Sequence, residues 1–159
     1  MDVTTYMATD LARYIVNKCI ADGKPISNFT LQKILYLVQL AVIKETGDLA
    51  FYDDIEAWKF GPVVPQAYYD MCGNGAMTIL TPYKLKEEPT GPVKVITDRI
   101  VDEKRDMEPF ALKEEIEATG SPWKRVYNDG KGNKEIIPLA MMYDYVQRKK
   151  EWSNLLWWL

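Results

Sequence analysis

The chain contains no histidine. That absence removes imidazole acid–base catalysis, histidine-containing triads and histidine metal ligands in one step, and leaves carboxylate, lysine and cysteine chemistry. Asp53, Asp54 and Glu56 are close enough in sequence to offer oxygen ligands to a hard cation such as magnesium or calcium. No calcium-loop spacing surrounds them, so a solvated acidic loop is the plainer reading and a metal-dependent enzyme the alternative. Cys19 and Cys72 are widely separated with no histidine near either, which does not support a zinc site. Neighbours such as Ile15, Ile20 and Met71 suggest two buried thiols. We expect no enzyme activity, metal or cofactor.

Two further groups of residues invite a functional reading. Gly73-Asn74-Gly75 and Gly130-Lys131-Gly132 could cradle a phosphate, but neither has the P-loop or dinucleotide spacing, and turns at helix ends explain both. Trp123-Lys124-Arg125-Val126-Tyr127 interleaves aromatics with cations, as a base-stacking surface would. Together with Arg148, Lys149 and Lys150 it would serve a nucleic-acid-binding autoregulator. Against that stand 20 basic and 23 acidic residues, a formal charge of −3 where a strongly basic face would be required.

The C-terminal residues pose the sharper question. Trp152, Leu155, Leu156, Trp157, Trp158 and Leu159 crowd apolar side chains into the end of the sequence. Leaving them in water would forgo roughly 10 kcal/mol of burial free energy. They either fold back on their own domain or form a patch that marks a protein contact, and tryptophan enrichment at binding hot spots favours the contact.

The elements that must position these residues are mostly helical. Ala8, Leu11, Ala12, Ile15, Val16 and Cys19 fall at spacings of three and four, predicting a helix over 5–21 with Thr5 as its N-cap. Ser27 caps a second helix that runs to about Thr46 before Gly47. Its apolar residues cover most of the circumference, the mark of a central helix. Residues 55–60 read as a short extended segment. Gly61-Pro62 then reads as the opening of a helix whose buried stripe is Val64, Ala67, Tyr68 and Met71. Between Met77 and Thr97, three prolines separate β-prone pieces at 78–80 and 93–96, edge strands at best. Asp98 would cap a helix to about Met107, Pro109 would start another, and Ser121-Pro122 a short third. Residues 134–137 are extended, and Pro138 leads the last helix, with Leu139, Met142, Tyr143 and Val146 on one face. The expected fold is mainly α: a compact helical domain around the central buried helix at about 27–46, with minor short β segments. Residues 1–152 form the domain and 153–159 an apolar tail. With 47% apolar residues it can bury a core without disulfides or metals. No secretory signal is visible and no run reaches the ~18 apolar residues of a membrane span, so a cytoplasmic protein is expected.

The order of these signals resembles a known family. SNFTLQKILYLVQ (27–39) contains Leu31, Gln32, Lys33, Leu35 and Tyr36. EAWKFGPVVPQAYYD (56–70) contains Glu56, Trp58, Gly61 and Pro62. SPWKRVY (121–127) contains Pro122 and Trp123. In this order they are similar to the Panacea domain of SocA-like or GepA-like phage-associated antitoxins, over roughly residues 5–146. The resemblance implies the antitoxin of a type II toxin–antitoxin pair, which neutralises a cognate protein toxin by direct binding. It also implies a toxin such as a nucleotide pyrophosphokinase, assembly as a homo-oligomer or heterotetramer, and, as an alternative mode, service as a protease adaptor that delivers the toxin for degradation. The motif residues themselves read as scaffold, with Trp58 and Trp123 in the core. Lys33 and Glu56 are the least explained, and a mutual buried pair is one account of them.

Overall fold

The computed structural model describes residues 2–156, with side chains described for 2–153. It is mainly helical: seven α-helices surround one another with a single small sheet among the described residues. The first helix, α1 (Ala8–Ala21), buries the stripe of Ala8, Leu11, Ala12, Ile15, Val16 and Cys19. It begins later than Thr5, because Tyr6 is committed to a bridge with Phe51: Tyr6 N–H donates to Ala50 O at 2.9 Å and Tyr52 N–H to Tyr6 O at 3.1 Å. Thr5 instead donates its hydroxyl to Leu49 O, and the free N–H of Ala8 is taken by Asp53 Oδ2 at 2.7 Å. The acidic loop therefore supplies the cap that the local sequence does not.

Helix α2 (Asn28–Thr46) is the central element. Ser27 Oγ accepts the N–H of Thr30 at its start, and Gly47 closes it with φ 78°. Leu31, Ile34, Leu35, Val38 and Val42 are fully buried on several of its sides. It packs against α1, α4 and α7 as well as the sheet.

The sheet has the order β2-β1-β3, all antiparallel, from β1 (Glu56–Trp58), β2 (Gly61–Val63) and β3 (Glu135–Ile136). Gly61-Pro62 is thus a strand and not the opening of a helix. A tight hairpin pairs Trp58 with Gly61 and Glu56 with Val63. Gly61 sits at φ 129°, a conformation that side chains disfavour, and Pro62 is tolerated because β2 is an edge strand. The helix that follows, α3 (Pro65–Met71), takes Pro65 as its N-terminal proline and buries Ala67 and Met71. Cys72 falls in a 3₁₀ turn and is exposed, so of the two expected buried thiols Cys19 alone is buried.

The largest departure from the sequence reading lies at 91–104. Residues 93–96 are not an edge strand: they belong to α4 (Gly91–Lys104), with Pro92 in its first turn, so the helix starts well before Asp98. Val93, Ile96, Ile100 and Val101 repeat at spacings of three and four and pack their common face on α2. That burial overrides the β preference of Val-Lys-Val-Ile. Thr78 makes one isolated bridge to Ser27, which seats Ile79 in the core.

Helices α5 (Pro109–Ile116) and α6 (Pro122–Tyr127) follow, the latter capped by Ser121 Oγ accepting Lys124 N–H. The last helix, α7 (Leu139–Leu156), lays Met142 and Val146 on the core beside α2. Leu139 and Tyr143, expected on the same buried face, are exposed; the Tyr143 hydroxyl donates to Gly47 O at 2.7 Å. Among the described residues no helix is long and apolar enough to cross a membrane.

Candidate functional site

Two buried glutamines on α2 hold the loops that shape the surface. Gln39 Nε2 donates to Phe51 O at 2.9 Å while its Oε1 accepts the N–H of Ala50 at 2.8 Å, fixing the acidic loop. Gln32 Oε1 accepts Val64 N–H at 2.9 Å, and its Nε2 donates to Asn28 Oδ1, whose amide donates in turn to Tyr68 O. This chain of amides ties the β2–α3 junction to the central helix. Buried backbone groups in a loop need such partners, because water cannot reach them.

The three sequence motifs, far apart in the chain, meet here. Trp123 Nε1–H donates to Trp58 O at 2.9 Å, and Trp123 N–H donates to the Tyr36 hydroxyl at 3.3 Å. Burial pushes the Tyr36 phenol well above its ordinary range, so it remains protonated. Leu31, Leu35, Tyr36, Pro122 and Trp123 are buried, whereas Trp58 is only half-buried. Glu56 accepts the Trp58 indole N–H at 2.9 Å. Glu56 does not pair with Lys33.

Lys33 has a different environment. The residue is only 7% exposed, and its ammonium lies 3.7 Å from the centre of the Phe29 ring. Burial lowers its pKa, with partial compensation from the charge of Glu117. It lines an apolar pocket of about 200 Å³ between α2 and the β1–β2 hairpin, together with Trp58, Pro62, Val63 and Tyr68. The bare Cα of Gly61 faces the lysine stem: a Cβ there would meet Lys33 Cε at 3.5 Å. From the mouth a wider groove of about 580 Å³ continues past Phe60 and Phe110 to Lys113 and Glu117. Phe29, Phe60 and Phe110, which rim it, are 50–71% exposed. Exposed aromatics around a concave surface make it the candidate site.

Sequence reasoning singled out Lys33 but missed Phe29, Lys59, Phe60, Phe110 and Lys113. A phenylalanine at a hairpin tip and another just inside a helix N-terminus are local oddities. Their assembly around one groove depends on the packing of α5 and the hairpin beside α2.

The other candidate groups are dispersed. Asp53 caps α1 and Glu56 holds Trp58; among the described residues no cluster of three or more acidic or cysteine side chains is placed to hold a metal. Arg125 and Arg148 both face Asp144, at 3.8 and 3.1 Å. Shared with a carboxylate, they make a weak phosphate-binding patch. Trp152 lies on α7 with 68% exposure. The side chains of Leu155 and Leu156, and Trp157, Trp158 and Leu159 entirely, lie outside the described residues.

The described residues thus form a mainly helical scaffold that carries a pre-formed, aromatic-rimmed groove. The family model described as "Antitoxin SocA-like, Panacea domain" matches residues 31–124, and the chain belongs to that family. The match takes in the second motif whole and the first and third in part, from Leu31 through Trp123. Antitoxin SocA of Caulobacter vibrioides (strain NA1000 / CB15N) is 37% identical over 73 residues, a stretch covering 46% of this chain and 39% of that relative. The aligned part is thus well under half of the relative's length. No solved structure matches the chain.

Proposed function

We propose that the protein is a cytoplasmic antitoxin of a type II pair, neutralising a cognate protein toxin by direct binding. The match of residues 31–124 to the SocA-like family carries this reading. The likeness to a protein named Antitoxin SocA and the aromatic-rimmed groove give it further support. The second contact region in this reading is the C-terminal end of the chain, from Trp152 through Leu155, Leu156, Trp157, Trp158 and Leu159. The exposure of Trp152 on α7 favours it, since an exposed tryptophan beside further apolar residues is a typical binding anchor. A toxin of the nucleotide pyrophosphokinase type, and a domain ending near residue 152 with the last residues as an appended tail, complete the proposal.

The test is co-expression with the adjacent gene's product. Relief of growth arrest together with a co-purifying complex supports the reading. Unrelieved toxicity with no complex would sink it.

A further inference from the structure

Three lysines of the Lys33 groove are held over aromatic rings and not against carboxylates. Lys33 lies over Phe29 at 3.7 Å, Lys134 over Trp58 at 5.0 Å and Lys59 over Phe60 at 5.4 Å. Among the described residues none of the three is paired with an acid. Elsewhere, Arg13, Lys18, Lys24, Arg99, Lys104 and Arg105 are each bound to one, and lysines without such a partner, among them Lys84, Lys124 and Lys131, are exposed, as Lys59 and Lys134 are; Lys33 differs from all of these in being buried. Glu117, the acidic residue in the groove, already faces Lys113 at 3.8 Å. A chain of net charge −3 therefore carries a locally positive, unneutralised groove.

Lys33 gives the strongest indication of what is missing. Its stem is buried, its ammonium opens into the apolar pocket, and no anion meets it there. A charge on a mostly buried side chain, offset only in part by the more distant Glu117, is poorly compensated, and an incoming carboxylate would pair with it in a place where little water reaches. The pocket's volume of about 200 Å³ falls below the ~300–1,000 Å³ usual for small-molecule sites. It has room for one bulky apolar side chain. Beyond it, Phe60 and Phe110 stand along an open groove of about 580 Å³ that continues from the pocket mouth, a shape that suits a stretch of polypeptide.

We propose that this groove binds an extended segment of the protein partner that inserts a bulky apolar side chain beside an Asp or Glu carboxylate, which Lys33 receives. This specifies the chemistry of the partner and, for that identification alone, rests on the antitoxin reading. Lys59 and Lys134 attract further acidic residues of the segment, and Phe60 and Phe110 cover its apolar ones.

The experiment pans a random twelve-residue peptide library on phage against the full chain, and measures synthetic versions of the enriched peptides by fluorescence anisotropy. Enriched sequences should place Leu, Phe or Trp next to Asp or Glu. Lys33→Met should weaken them at least tenfold, and so should Phe60→Asp, a change at an exposed site that leaves the core intact. Far-ultraviolet circular dichroism and urea unfolding check that both variants are folded. No enrichment, enriched sequences without acidic residues, unchanged affinity in folded Lys33→Met, or displacement of the peptides by equimolar single-stranded RNA would each overturn the proposal. Co-expression with the neighbouring toxin separates the two readings. If the wild type neutralises and folded Lys33→Met and Phe60→Asp do so equally well, the groove assignment fails and the antitoxin reading stands. If the wild type forms no complex but the peptides bind through Lys33, the antitoxin reading fails and the groove remains.

Discussion

Replacing Gln32 by methionine tests whether a family-motif residue serves the scaffold. Methionine has nearly the same length and helix preference but no hydrogen-bonding amide. The substitution leaves the buried N–H of Val64 without its 2.9 Å acceptor, and buried Asn28 Oδ1 without its 2.9 Å donor. Each orphaned group costs about 1–3 kcal/mol, so we expect a loss of roughly 3 kcal/mol. For a chain of this size that lowers Tm by roughly 6–12 °C. Urea unfolding gives the free energy and calorimetry the Tm. Hydrogen exchange at the Val64 amide locates the effect, and that amide should lose protection selectively. A loss under about 1 kcal/mol with the Val64 amide still protected would refute the reasoning.

Lys33→Met should do the opposite, raising stability at neutral pH by about 1 kcal/mol or more while weakening the partner. The pH dependence follows from the lowered pKa of Lys33. The penalty for desolvating the ammonium is full below its folded pKa, fades as pH rises toward the unfolded value of about 10.5, and is gone above it. The stability difference between variant and wild type should therefore shrink as pH climbs through that interval, which urea midpoints at matched pH would show. Gly132→Ala should destabilise by about 2 kcal/mol or more, since its Cβ would fall 1.9 Å from Val126 O and backbone must move; thermal melts suffice to measure it. Trp123→Phe should cost about 1–3 kcal/mol through the orphaned Trp58 carbonyl, read by urea unfolding. Ending the chain at Trp152 should reduce toxin affinity more than tenfold in a pull-down titration, with stability changed by less than about 1 kcal/mol. Lost stability with affinity retained would instead place the last residues in the scaffold.

Much of the architecture can be read from local chemistry. Ser27 and Gly47 bound α2 as expected, and the apolar surface of that helix on several sides requires it to be central. Ser121-Pro122 starts α6 for a local reason, a hydroxyl cap followed by a residue with no N–H to leave unpaired. The helical stripe of α1 is equally legible, although its first residue was not, because its cap comes from Asp53 across the fold. Family membership, too, was contained in the order of three short motifs.

Tertiary structure decided the rest wherever two local states were close in energy. Val93-Lys94-Val95-Ile96 has β-branched residues that suit a strand, and becomes α4 because its face at spacings of three and four finds α2 to cover it. Gly61-Pro62 could open a helix or form an edge strand, and pairing with Glu56–Trp58 selects the strand. The groove belongs wholly to this second kind. Phe29, Phe60 and Phe110 come from a helix start, a hairpin tip and another helix, and Lys33 is an ordinary helical lysine until these surround it. Sequence patterns report which residues seek burial along one element. The partners available to a charge, and hence whether it is left unpaired in a pocket, depend on distances across elements that only packing sets.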